Sequence, residues 1–221
     1  MWIPVINNKE LSNAIKDKIA TIHMALSGQE LQDITLFEGQ AGKILFDIAL
    51  AEANNKCYDQ EEILNDINLI YSKINDIDNL SLSRGLAGIF YLKDYLSKNE
   101  LIECEKDEID ISEFFYNNSL TMEIDMDYLH GMSGIVLREL EGKEEINNKL
   151  MDRWLAFINE KCEASSEGEI KWKINLEQND GNFKKVYSLG LAHGTPSLIL
   201  ILLKLYKKRG GNWKGRSWME L

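Results

Sequence analysis

The sequence is poor in cysteine, proline and histidine and short of positive charge. Its three cysteines, Cys57, Cys104 and Cys162, are odd in number, widely separated and form no CxxC pair. That excludes a disulfide framework and a zinc knuckle. It fits a reducing compartment, so the expected location is cytoplasmic. Lys and Arg number 25 against 36 Asp and Glu, a formal net charge of −11. A nucleic-acid surface needs clustered basic side chains, which this balance argues against. No apolar run is long enough to span a bilayer; the best, Leu198 to Tyr206, falls far short of the ~20 residues required. The first residues, Met1-Trp-Ile-Pro-Val-Ile-Asn-Asn-Lys9, show no basic segment ahead of a long apolar one, so no signal peptide is expected.

One of the two prolines marks the most informative stretch, Tyr187-Ser-Leu-Gly-Leu-Ala-His-Gly-Thr-Pro-Ser197, followed by the apolar run Leu198 to Leu205. Proline belongs in the first turn of a helix, where its missing N–H costs nothing. His193 is therefore placed on the loop that opens a buried helix. Three earlier stretches open apolar runs in the same way: Glu38-Gly-Gln-Ala-Gly42, Arg84-Gly-Leu-Ala-Gly88 and His130-Gly-Met-Ser-Gly134. The first glycines, Gly39, Gly85 and Gly131, are evenly spaced, and the interval to Gly194 is longer. A period of roughly 40–50 residues is the signature of stacked supersecondary units.

Between these openings the chain reads as helix. Leu11, Ala14, Ile15, Ile19 and Ile22 lie at helical spacing, as do Ile63, Leu64, Ile67, Ile70 and Ile74, and Ile146, Leu150, Trp154, Phe157 and Ile158. Ile111 to Met122 is a further helix, with Phe114 and Phe115 packing inward. Glu169 to Leu176 alternates polar with apolar and reads as a short strand or hairpin arm. Each unit is thus an amphipathic helix followed by one that is apolar nearly all round and expected to be buried. The fold class is all-α. The pairs stack either as an open solenoid or as an α/α toroid with the apolar helices inside. The glycines, which allow close backbone approach, favour the toroid.

From about Leu36 to Leu205, the four glycine-marked openings, the last reading Gly190-Leu-Ala-His-Gly-Thr-Pro-Ser197, resemble the N-terminal half of the lanthionine synthetase C-like (LanC) family. Ser197 stands where the family pattern has a final glycine. The resemblance implies about four helical hairpins of an α/α barrel. It implies a cyclase activity in which a cysteine thiolate adds to dehydroalanine or dehydrobutyrine and closes a thioether ring. In such a reaction thiolate is the nucleophile and a bound metal favours it. An acid then protonates the enolate, and imidazole, which titrates near neutrality, suits that role. Carried over by position, the catalytic residues are His193 and Asp127, in Asp127-Tyr-Leu-His-Gly131. His130 fills the same slot of the third repeat, but the resemblance gives it no role.

Zinc is the cofactor implied by the resemblance, with a cysteine and then a Cys-His pair as ligands. None of Cys57, Cys104 or Cys162 adjoins a histidine or falls at an opening. The chain alone is therefore expected to hold no catalytic zinc and to show little or no cyclase activity. Residues 1–206 read as an incomplete barrel domain and 207–221 as an irregular basic tail. The implied partners are a dehydrated precursor peptide, a lanthipeptide dehydratase and a chain that completes the barrel. Two other readings stand beside this one. One is a non-catalytic helical-repeat module that holds a peptide. The other, ranked last, is an α/α-barrel enzyme acting on carbohydrate, which needs two acids across a cleft.

Overall fold

Apolar side chains returning every three or four residues fold the chain into helices with one buried face. The computed structural model describes residues 8–29, 31–54, 59–101, 111–119, 125–142, 145–177 and 182–210. Cys57, Cys104, Leu120 to Met122 and most of the expected basic tail lie outside the described residues. The helices are α1 (Lys9–Leu26), α2 (Gln40–Ala53), α3 (Gln60–Lys73), α4 (Leu86–Lys98), α5 (Ile111–Ser119), α6 (Met132–Gly142), α7 (Asn148–Glu160) and α8 (Thr195–Lys208). Side-chain caps start α3 and α7: Asp59 accepts from the backbone N–H of Glu61 and Glu62, and Asn147 from that of Leu150.

The inner row runs α2, α4, α6, α8, each packed on the next, with α3 against α2, and α5 and α7 against α6. This is a partial α/α toroid. Ile44, Ile48, Ile63, Ile67, Ile70, Ile89 and Leu96 form one core cluster. Val136, Leu150, Trp154, Ile158, Ile201 and Leu205 belong to a second. Lys43 joins α2 to α3 through a buried ammonium, 3.1 Å from Asp47 Oδ2 and 3.0 Å from Asp66 Oδ2. Burial pushes that ammonium down, but the carboxylates of Asp66 and Asp47 outweigh it and hold the group above the ordinary lysine value of 10.5.

Between α7 and α8 lie two antiparallel hairpins. In the first, β1 (Cys162–Ala164) pairs with β2 (Ile170–Trp172), with Glu163 opposite Lys171. In the second, β3 (Ile174–Glu177) pairs with β4 (Phe183–Val186), with Asn175 opposite Lys185. The segment Glu169 to Leu176, expected as one arm, is therefore divided between two hairpins. Trp172 anchors the first: it is buried, and its indole N–H donates to the Ile158 carbonyl at 2.7 Å. These hairpins lengthen the interval before Gly194.

Three expectations of burial are corrected. Phe115 is buried but Phe114 is exposed, because adjacent helical residues point about 100° apart and only one can face the core. No residue of α1 is buried, and Leu11, Ile15 and Ile22 of its apolar stripe are exposed. Helix α8 buries Leu198, Ile201 and Leu205 against α6 but exposes Ile199, Leu200, Leu203 and Tyr206, since α6 covers only one of its faces.

The openings of the inner helices share one construction. The residue six before each first glycine accepts, through its carbonyl, the N–H just after that glycine. The bonds are Gln40 to Asp33 (2.9 Å), Leu86 to Asn79 (2.9 Å), Met132 to Asp125 (2.8 Å) and Thr195 to Ser188 (3.1 Å). The loop presses on the glycine: a Cβ on Gly131 would lie 2.7 Å from the Asp127 nitrogen. The second glycine sets the approach of neighbouring repeats, for a Cβ on Gly134 would lie 2.8 Å from the Leu82 Cβ. In the fourth opening Ser197 takes that place, buried, with its hydroxyl donating to the Gly194 carbonyl at 2.7 Å. Adjacent openings are also bonded to one another, Phe37 N–H to Ser83 O at 3.1 Å and Ser83 N–H to Leu129 O at 3.0 Å.

Two predictions follow from this packing. Gly131→Ala has to push the Asp125–Asp127 backbone aside and is expected to cost about 1–3 kcal/mol, read from urea unfolding. The folded Lys43 ammonium binds its proton more tightly than the unfolded one. Its contribution is therefore complete at neutral pH and is lost as pH rises above 10.5. Unfolding the native chain and Lys43→Met side by side from pH 7 upward should show their stability difference narrowing only at the alkaline end.

Candidate functional site

Asp127 sits on the loop into α6, four residues before Gly131, and is 8% exposed. Its Oδ1 accepts the backbone N–H of Leu129 and of His130, each at 2.6 Å. Two N–H donors fix the carboxylate in one orientation. Oδ2 is left facing the next opening, where Nδ1 of His193 hydrogen-bonds it. The loop turns into α6 and α8 thus bring together two residues 66 positions apart in the chain. With Nδ1 donating to a carboxylate, Nε2 on the other edge of the ring points away from it. The His193 side chain is 38% exposed.

His130 completes the group. It stands directly before Gly131 as His193 stands before Gly194. The two rings stack nearly parallel, with centroids 5.4 Å apart and planes 6° apart. Nδ1 of His130 lies 3.4 Å from Asp127 Oδ1. The same slot in the first two repeats holds Glu38 and Arg84, which pair with each other, Arg84 Nε donating to Glu38 Oε1 at 3.1 Å. The residues before the four glycines are thus joined in twos, an ion pair and then an imidazole pair. The sequence reading named Asp127 and His193, and the structure brings those two together. His130 fills the equivalent slot of the third repeat. The repeat register was the signal that could have added this residue.

The surroundings hold the group in place. Asn175, on β3, donates to Asp125 Oδ2 at 3.3 Å, tying the second hairpin to the loop. Ser133 donates its hydroxyl to the Met126 carbonyl and accepts the Trp154 indole N–H at 3.1 Å, pinning α7 to the start of α6. Burial pushes the Tyr128 phenol up, with Tyr91 and Glu141 adding to it, so this hydroxyl stays neutral around the site at ordinary pH.

Asp127, His130 and His193 offer one ligand atom each, all within 4.8 Å of one another, which is the number of protein ligands an open catalytic zinc site uses. Their arrangement does not fit zinc. The lone pair of an imidazole lies in its ring plane, and two stacked parallel rings cannot both aim at one ion. Both Asp127 oxygens are also already engaged. The group contains no sulfur; Cys162, the free cysteine among the described residues, lies on β1. What the arrangement can do is bind and release protons at exposed imidazole nitrogens.

Fold and site together define a partial helical toroid with a hydrogen-bonded histidine–carboxylate pair where the inner helices open. The family model for lanthionine synthetase C-like protein matches residues 4–212, and the chain belongs to that family. No curated protein sequence matches it. Among solved structures, nisin cyclase is similar with a TM-score of 0.58 at 18% identity, over 93% of this chain and 61% of that one. The chain thus spans about three fifths of the length of that cyclase, and it has a lanthionine cyclase-like fold.

Asp127 is expected to act by holding the ring of His193. Asp127→Asn keeps the shape and removes the charge. It should leave the helical circular dichroism intact while changing the pH titration of the His193 ring signals in an NMR spectrum; an unchanged titration would show that the carboxylate has no hold on the ring.

Proposed function

We propose that the protein promotes the addition of a cysteine thiol to dehydroalanine or dehydrobutyrine within a peptide, forming a thioether. The observation that carries this reading is the hydrogen bond between His193 and Asp127, formed across two repeats of a cyclase-like toroid. The chemistry is a proton moved from sulfur to carbon. The thiol loses its proton, the sulfur pair bonds the β-carbon, and the α-carbon takes a proton. His193, held by its Nδ1 on an anchored carboxylate, presents Nε2 as the acid that protonates the α-carbon. Asp127 orients the ring and stabilises the imidazolium before the transfer.

The partners that go with this reading are a dehydrated precursor peptide, the dehydratase that makes it, and a chain bearing further barrel helices. The exposed apolar face of α8, with Ile199, Leu200 and Leu203, gives such a chain a surface to meet. The alternative is a module that holds the peptide without turning it over.

Cyclisation leaves the peptide mass unchanged and removes one thiol, so the assay counts cysteines that remain open to alkylation. It is run with the chain alone and with a second chain covering the rest of a family member's barrel. The reading expects thiol loss above the buffer rate in one of these arms, lowered about 100-fold or more in His193→Ala. Peptide binding with thiol loss at the buffer rate in both arms would establish the holding module instead.

A further inference from the structure

We propose that a cleft between the first two helix openings holds a basic side chain, arginine before lysine, of the peptide on which the site acts. The proposal rests on the peptide reading above and names a second place where the chain grips that peptide.

The cleft encloses about 320 Å³. That is the small end of ligand pockets and suits one long side chain. Its wall contains Asp33 and Thr35 from the loop into α2, Asp76 and Asp78 from the turn after α3, and Lys73 and Arg84. The two cations are engaged: Arg84 is turned to Glu38, and Lys73 has an interaction of its own. Among the described residues, no ion pair involves Asp33, Asp76 or Asp78. Three carboxylates therefore face the cleft with no cation set against them.

Thr35 adds an independent sign of a missing partner. It is 4% exposed, and its hydroxyl hydrogen-bonds no described residue. A buried polar group left unpaired costs stability. The equivalent side chains turn back on their own loops, Ser81 Oγ accepting the Arg84 N–H at 3.3 Å and Asp127 Oδ1 the His130 N–H at 2.6 Å. Thr35 makes no such bond and lies in the wall of the cleft.

The spacing of the acceptors selects the ligand. Among the described residues, the three acidic or imidazole side chains close enough to share one metal ion are Asp127, His130 and His193. Asp33, Asp76 and Asp78 thus stand too far apart for a single ion. A guanidinium spreads five N–H donors over a rigid plane and reaches separated acceptors. The Thr35 hydroxyl can accept one of those donors.

The cleft also lies on the way to His193. Arg84 in its wall precedes Gly85 as His130 precedes Gly131 and His193 precedes Gly194. From the pair of openings around the cleft to the pair around His193 is two steps of the inner row. Packed helices stand roughly 8–10 Å apart, so the two steps span roughly 16–20 Å, or about five or six residues of extended peptide. A peptide with its dehydroalanine at His193 then places the residue about six positions away in the cleft.

A dehydroalanine peptide without cysteine cannot cyclise, so its binding is read alone, by fluorescence anisotropy. With arginine six residues from the dehydroalanine, on one side or the other, it should bind about tenfold tighter than the same peptide with neutral citrulline. Moving the arginine to two residues away should abolish the difference. So should Asp76→Asn with Asp78→Asn. Glu10→Gln with Asp17→Asn removes the same charge from α1 and should leave the difference intact. No preference for arginine overturns the proposal. So does a preference at both spacings, one that survives loss of Asp76 and Asp78, or failure of every peptide to bind. With cysteine restored, the thiol assay separates the two readings. Thiol loss at the buffer rate with the arginine preference intact overturns the reaction and upholds the cleft. Catalysed thiol loss without the preference overturns the cleft alone.

Discussion

The structure depends on one backbone contact made four times. A loop carbonyl six residues upstream of a glycine closes on the first N–H of an inner helix, and the absence of a Cβ lets the loop lie against it. This contact fixes where each inner helix starts relative to the strand of loop before it. The first three loops are bonded edge to edge by their backbones and the His193–Asp127 hydrogen bond joins the fourth, so the openings form a row. Whatever side chain precedes the glycine is delivered to that row.

The site is a consequence of this row and not a separate construction. In the first two repeats the delivered side chains are opposite charges and neutralise each other at the surface, an exposed pair of the kind that contributes little to stability. In the third and fourth they are imidazoles. The third loop also contributes Asp127, at the position filled by Thr35, Ser81 and Gly190 in the other three loops. A carboxylate there accepts two N–H groups of its own loop and still has an oxygen for its neighbour. The same backbone that opens a helix in one repeat thus orients a carboxylate and an imidazole between the next two.

Much of this was legible in the sequence, for physical reasons. Proline near a helix start and glycines at an even period are backbone constraints, and they survive in one dimension. That is why the inner helices and the place of His193 could be read. What needed three dimensions was the meeting of adjacent loops, hence the stacking of His130 on His193. The two hairpins were misread as one arm because alternation marks a strand but not its partner; Lys173, between Trp172 and Ile174, gives no turn signal. The open face of α8 was missed because an apolar helix does not declare how many neighbours it has. Phe114 and Phe115 stand about 100° apart on the helix, so only Phe115 faces the core.

The central claim is that the fold holds His193 by Nδ1 on Asp127 and leaves Nε2 to do the chemistry. The most direct measurement is the ¹⁵N NMR spectrum of the neutral His193 ring, which distinguishes the two tautomers. The expected result is a proton on Nδ1, retained in His130→Gln and lost in Asp127→Asn. A neutral ring protonated at Nε2 and indifferent to Asp127 would contradict it.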